Sequence, residues 1–219
     1  MKSEILVALI LKAAEVEWPT VATSEHPGSV AYRQGVATMA ESYVAVGSEG
    51  AIVSSEVDPL ILATMGYEES RHRPTVKDGD CYQTNGMTKP LCRALGPMQV
   101  SRATPSILGT IDPAWKGLKV DELRDPLTSV KVSYRLLKYW KDTCKSKSLD
   151  ALLGNWSAGK CLKGTIDMGA RRCAFAKSMA GVVGVEFGAT CVRPTRDKHV
   201  KRLIASIEKK NEEKKPESP

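Results

Sequence analysis

Histidine and aromatic residues are scarce in this sequence, and no long apolar run occurs in it. Its 219 residues include three His, two Phe, six Tyr and four Trp. With so few His and no Cys-x-x-Cys spacing, the common zinc-binding patterns are excluded. The apolar stretch near the N-terminus, residues 5–11, is too short to span a bilayer. We therefore expect no metal site and no stable membrane insertion.

Several motifs of nucleotide and nucleic-acid chemistry are also missing. The chain contains no P-loop, no dinucleotide-binding glycine motif and no Gly-x-Ser-x-Gly motif. It shows no helix-turn-helix, zinc-finger or RNA-recognition signature, and it has few aromatic residues to stack on bases. We expect no cofactor and no nucleic-acid partner.

Positive charge is in excess. Lys and Arg number 32 against 25 Asp and Glu, which gives a formal net charge of +7. Such a balance suits an anionic polymer, and nucleic acid, anionic lipid and bacterial cell wall are all candidates on charge alone. Lys-rich helix faces that only keep the protein in solution are an equally simple explanation.

Six cysteines are present, an even number that favours disulfides and an oxidising destination. Cys81 and Cys92 bracket one polar segment and form a plausible pair, while the partners of the other four stay open. Glu4, Lys12 and Glu15 interrupt the pattern of a cleaved signal peptide, so an amphipathic first helix that packs on the core is favoured. We expect work in the periplasm or the extracellular wall, reached by a separate export route.

Helices dominate the predicted secondary structure. Asp58-Pro59 is a typical helix opening, with Asp as a cap, and this helix should run through Glu69 and stop before Pro74. Glu68 points about 100° away from Glu69 around the helix axis and is predicted to be a solvated neighbour.

A second Asp-Pro pair, Asp125-Pro126, predicts a helix whose apolar residues recur at three- and four-residue steps as far as Trp140 or Lys141. A core-facing stripe is the favoured interpretation, with a sugar groove as the alternative. Further helices are predicted at residues 149–156, 170–183 and 196–210, and a loop or small β excursion at 77–91.

These elements predict one mainly α domain, of class α+β, over residues 1–207, with its core at about 50–195. Residues 208–219 have no apolar side chains to bury and should form a disordered charged tail. We expect a monomer.

Three short motifs carry the functional signal. They are Glu-Ser-Arg-His-Arg-Pro at 69–74, Ala-Leu-Gly-Pro-Met-Gln-Val at 94–100 and Asn-Trp-Ser-Ala-Gly at 155–159. The first supplies one acid at a helix end, and cleavage of a glycosidic bond begins with protonation of the leaving oxygen.

In this order the motifs resemble the soluble lytic transglycosylase and goose-type lysozyme superfamily. Its members show Glu-Ser at a helix end, a Gly-Leu-Met-Gln loop and a later Tyr-Asn-Ala-Gly. The chain departs from that pattern at Pro97, and at Trp156 and Ser157, which stand where the family has Tyr and Asn. The resemblance implies a lysozyme-like fold with the β excursion beside a cleft, of the kind also found in phage lysins.

The resemblance also implies roles for single residues. Glu69 acts first as acid and then as base, and Ser70 is structural, with its hydroxyl bonded to nearby backbone or to the second motif. The substrate-binding residues are then those of the second and third motifs: Gly96, Met98, Gln99, Asn155, Trp156 and Ser157. For Met98 a place in the core is the favoured alternative. Trp156 takes the position of the Tyr that orients the carboxylate, unless a shifted register gives that role to Asn155.

The implied substrate is peptidoglycan, cut at the β-1,4 bond between N-acetylmuramic acid and N-acetylglucosamine. No second carboxylate stands in the other motifs, and the resemblance implies that the substrate's N-acetyl group assists instead and that a 1,6-anhydro product forms without water. A goose-type hydrolase with Asp78, Asp80 or Asp112 as second carboxylate is one alternative. A silent peptidoglycan-binding protein is the other.

Overall fold

The computed structural model describes residues 1–17, 27–72, 78–82, 91–101, 104–163, 166–195, 197–198 and 200–205. Within these ranges the α-helices are α1 (Ser3–Glu17), α2 (Val30–Gly47), α3 (Asp58–Ser70), α4 (Thr104–Ile111), α5 (Pro126–Cys144), α6 (Leu149–Ala158) and α7 (Asp167–Val183). Two short 3₁₀ helices, Pro113–Trp115 and Val120–Arg124, precede α5. Residues 198 and 200–205 are also helical, and the rest of the helix predicted at 196–210, like the tail, lies outside the described residues.

The sheet is small and antiparallel. Strands β1 (Asp78–Tyr82) and β2 (Leu91–Leu95) pair with each other, and the two-residue β3 (Val100–Ser101) adds to the other edge of β2. The excursion predicted at 77–91 is thus a β structure at both described ends, while residues 83–90 lie outside the described part. The chain is a mainly α-helical single domain, as its periodicity predicts.

The core lies where α3 packs against α1, α2 and α7, and α5 packs against α2 and α6. The prediction for the N-terminus is confirmed, because α1 buries Leu6, Leu9 and Ile10 in this core. Helix α2 has no counterpart in the sequence analysis. Ser29 caps it by accepting a hydrogen bond from the Tyr32 N–H at 3.1 Å, and its core face is built largely from Tyr and small residues.

Both Asp-Pro helix openings are confirmed, but the two Asp side chains accept hydrogen bonds from different parts of the chain. Asp125 caps α5 by accepting from the Thr128 N–H at 2.8 Å. Asp58 is instead the first residue of α3, and its carboxylate accepts from the backbone N–H groups of the preceding loop, including those of Ile52 at 2.9 Å and Val53 at 2.8 Å. The predicted cap is therefore wrong for Asp58: this buried carboxylate ties down the loop rather than its own helix.

Disulfides brace the part of the chain that follows α5. Cys144, the last residue of α5, pairs with Cys161 beyond α6, and Cys173 of α7 pairs with Cys191. The predicted framework is confirmed for these two bonds. Cys81 lies opposite Cys92 in the β1–β2 register, and their side chains are outside the described part.

Among the described residues no helix is long and apolar enough to cross a membrane.

Candidate active site

One cavity brings all three sequence motifs together. It has a volume of about 520 Å³, and β3, α4, α5, α6, the start of α7 and the end of α3 contribute to its wall. The lining residues are Glu69, Gln99, Val100, Ser101, Thr104, Ile107, Leu136, Trp140, Trp156, Ser157, Ala158, Gly159 and Met168. Residues as far apart in the sequence as Glu69 and Met168 thus share one surface.

Glu69 lies in the last turn of α3, where its carboxyl group faces the cavity. Its side chain is 23% exposed, and its Oε1 accepts a hydrogen bond from Nη2 of Arg172, with which it forms an ion pair. Among the described residues that line the cavity, Glu69 is the only carboxylic acid. The helix thus presents one acid to the space where a ligand would sit.

Two opposing effects act on that acid. Burial raises the pKa of Glu69 above its ordinary value, because a charged carboxylate loses hydration. The Arg172 guanidinium lowers this pKa through its charge and its hydrogen bond, while Glu68 raises it and Arg71 lowers it by smaller amounts. The net pKa is raised, so Glu69 retains its proton at higher pH than an exposed Glu.

Arg172 contacts Glu69, and no motif in the sequence analysis included it. It belongs to α7 and its side chain is only 1% exposed, although Arg is almost never fully buried unless it is paired. Besides Glu69 it binds the Ser157 hydroxyl through Nη1, and its guanidinium carbon lies 5.1 Å from the centre of the Trp156 ring. One signal was available: Arg172 precedes Phe175 and Ala176 by three and four residues, on the apolar face of the helix.

Glu68 is not the solvated neighbour that the sequence predicted. Its side chain is 3% exposed and forms ion pairs with Arg171 at 3.1 Å and with Arg71 at 3.6 Å. It points away from the cavity, as the helical period requires, but α7 covers that side of α3 and supplies the compensating cation.

The second motif forms a tight turn beside the cavity. Gly96 has φ +68°, and a Cβ there would lie 1.9 Å from the Leu123 carbonyl oxygen, so only glycine fits. Gln99 lines the cavity, and its Nε2 donates to the Gly96 carbonyl at 2.8 Å. The turn thus places Gln99 at the cavity wall. Gly96 itself is buried, and its positive φ allows the backbone to form the turn.

Met98 and Ser70 are core residues. Met98 is fully buried in the core, the alternative that the sequence favours, and its sulfur accepts a hydrogen bond from the Tyr43 hydroxyl at 3.7 Å; it does not line the cavity. The Ser70 hydroxyl donates to the Gly66 carbonyl at 3.1 Å and accepts from the His72 N–H at 3.2 Å. This confirms the predicted bonding of Ser70 to nearby backbone.

The third motif divides between cavity and core. Trp156 and Ser157 line the cavity, whereas Asn155 is buried. The Asn155 side chain donates to Ser146 Oγ at 2.9 Å and accepts from the Leu162 N–H at 2.7 Å, so it fixes the loop after α6 and makes no contact with Glu69. Of the three residues named in this motif, Asn155 is thus the one that does not line the cavity.

Trp156 does not orient the carboxylate. Its indole Nε1 is buried with no hydrogen-bond partner among the described residues, and Arg172 takes the bond to Glu69 instead. The ring contributes apolar surface, as does Trp140, which packs partly on the core and partly lines the cavity. Ile107 and Met168 add exposed apolar side chains to the wall.

Of the three carboxylates suggested for a hydrolytic mechanism, only Asp112 has a described side chain, and it does not line this cavity. Asp112 caps the 3₁₀ helix Pro113–Trp115, pairs with Arg135 at 3.1 Å and lines a different cavity of about 450 Å³. The side chains of Asp78 and Asp80 lie outside the described part of the chain. No cluster of three or more metal-binding side chains occurs among the described residues.

Comparisons of the chain with models of protein families, with curated proteins and with solved structures found no significant match.

Proposed function

We propose that the chain is a lysozyme-like glycosidase that cleaves the β-1,4 bond between N-acetylmuramic acid and N-acetylglucosamine in peptidoglycan. The observation that carries this proposal is the meeting of Glu69, Gln99 and the third motif at one cavity. The apolar surfaces of Trp156 and Trp140 support it, because the aliphatic faces of sugar rings pack on aromatic side chains.

The favoured reaction is that of a lytic transglycosylase. Glu69 gives its proton to the glycosidic oxygen as the bond breaks, and the substrate's N-acetyl oxygen stabilises the developing cation. The Glu69 carboxylate then removes the proton from the sugar's 6-hydroxyl, whose oxygen closes the 1,6-anhydro ring. The raised pKa of Glu69 supports the first step, which needs a protonated carboxyl near neutral pH.

The test is digestion of purified peptidoglycan followed by mass spectrometry of the released muropeptides. We expect anhydro ends, which are lighter than hydrolysed ends by one water. In the Glu69→Gln variant, which keeps the size of the side chain and removes its titrating proton, we expect no cleavage and a native circular-dichroism spectrum. Full activity of this variant would overturn the assignment of Glu69.

The hydrolytic alternative is separated by the same spectra, because a goose-type enzyme leaves hydrated ends. The third alternative, a silent wall-binding protein, would sediment with peptidoglycan and release no fragments. Either result would reject the transglycosylase reaction, and the latter would reject the glycosidase as well.

A further inference from the structure

We propose that Arg172 is the positioning residue of this site: its guanidinium holds the Glu69 carboxylate in place, where the resembled family uses a Tyr at the position of Trp156. This inference rests on the proposed function, and the contacts of Arg172 within the chain support it. One guanidinium binds two elements with two different nitrogens, Nη2 to Glu69 of α3 and Nη1 to Ser157 of α6.

The backbone of α7 is closely packed against α6 near Arg172. Helices α6 and α7 are in close contact at Gly169, where a Cβ would lie 2.1 Å from the Asp150 carbonyl oxygen. Arg172 follows three residues later on the same face of α7, so the close helix contact fixes where its side chain begins. Trp156 then covers the guanidinium from one side. A planar group held in this way sets the direction of the carboxylate, which a flexible Lys would not do.

The charges around Glu69 make Arg172 the main counter-charge. At the end of α3, Glu68 and Arg71 have smaller effects on the pKa of Glu69. On α7, Arg171 is directed elsewhere, to Glu68 at 3.1 Å and to Asp197 at 2.7 Å. Burial raises the pKa of Glu69, and the charge and hydrogen bond of Arg172 oppose that effect. The same contact orients the ionised carboxylate for the base step.

The experiment compares Arg172→Met, Arg172→Lys and the matched control Arg171→Met. The two Met variants remove the same charge from adjacent positions of α7, but only one of them touches Glu69. For each folded variant, kcat/KM is measured against pH on soluble glycan strands. The carboxyl carbon of Glu69 is titrated in parallel by nuclear magnetic resonance.

For Arg172→Met we expect kcat/KM at its optimum to fall by about 100-fold. The alkaline limb of the profile and the titration of Glu69 should both move upward by about one pH unit or more. Arg172→Lys should leave the limb near its original pH, because the charge remains, and still lower kcat. Arg171→Met should shift neither the limb nor the titration.

A folded Arg172→Met protein with an unshifted limb and an unshifted Glu69 titration would overturn the proposal, since that is the outcome of a merely structural role. If Arg172→Met does not fold, Arg172→Lys decides, because full kcat in that variant would refute orientation by the guanidinium. If the native protein cleaves no glycan, the proposed function fails, whereas the Glu69 titration still tests the contact with Arg172.

Discussion

At the scale of single residues, His72 makes the stability of the fold depend on pH. It is buried next to the end of α3, and its Nδ1 lies 3.2 Å from the Tyr43 hydroxyl. Burial disfavours the imidazolium ion and lowers the pKa of His72 to about 3, from an unfolded value near 6.5. The unfolded chain therefore binds one more proton than the native chain between these two pH values.

The sign follows from that proton count. The stabilisation is complete above about pH 6.5 and is lost as the pH falls towards 3, with a slope of at most about 1.4 kcal/mol per unit. The free energy of unfolding is measured with urea at several pH values. As the pH falls from 6.5 towards 3, we expect it to decrease more steeply for the native protein than for a His72→Gln variant, by up to this slope. Parallel pH dependences for the two proteins would contradict the buried neutral histidine.

Sequence reasoning identified Glu69 and Gln99 because each belongs to a local motif. It missed Arg172 because the contact with Glu69 joins residues 103 positions apart, and no local pattern records it. For the same reason the prediction of a solvated Glu68 was wrong. The helical period gives the direction of a side chain, but whether another helix covers that side depends on the tertiary structure, and here α7 covers it.

At the scale of elements, the helices with strong apolar periods and Asp-Pro openings were predicted to within a few residues. For α6 the prediction ended at Trp156 and the helix ends at Ala158, and for α7 the helix begins at Asp167 rather than at Ala170. Helices α2 and α4 were missed. The buried face of α2 has only three Val or Met side chains among its eight buried residues, and the others are Tyr, Ala, Ser and Gly, so its contrast with the exposed face is weak.

The two disulfides around α6 should differ in their contribution to stability. They close loops of similar length, with sequence separations of 17 and 18, so each should contribute about 3 kcal/mol through chain entropy. Cys173 is fully buried beside Arg172, whereas Cys161 is exposed. Replacement of Cys173 should therefore also cost packing free energy, in addition to the loss of the cross-link.

Urea unfolding of the double Ala variants measures this difference. We expect Cys173→Ala/Cys191→Ala to lower the free energy of unfolding by more than Cys144→Ala/Cys161→Ala does. Because the loop lengths match, chain entropy cancels in the comparison, and the remainder reports the packing of Cys173. Equal losses would show that the buried sulfur adds nothing beyond the cross-link.

At the scale of the whole molecule, the sequence predicted a mainly α domain and a functional surface assembled from three separated motifs. The cavity brings them together, but its wall also draws on α4, through Ile107, which no motif included. Which elements meet at this wall depends on how the helices pack, and that packing depends on the whole sequence rather than on the three motifs.

Net charge provides a prediction that depends on no single residue. Because the chain carries a formal charge of +7, long-range attraction should speed its encounter with the anionic cell wall. Salt screens such attraction over about 8–10 Å at moderate ionic strength. We expect clearing of whole cell walls to slow several-fold between low and physiological salt, while cleavage of short glycan fragments, which carry few charges, changes less. An equal effect of salt on both substrates would assign it to the active site itself, since Glu69 and Arg172 act on either one, and would leave the surplus of Lys and Arg with a role in solubility alone.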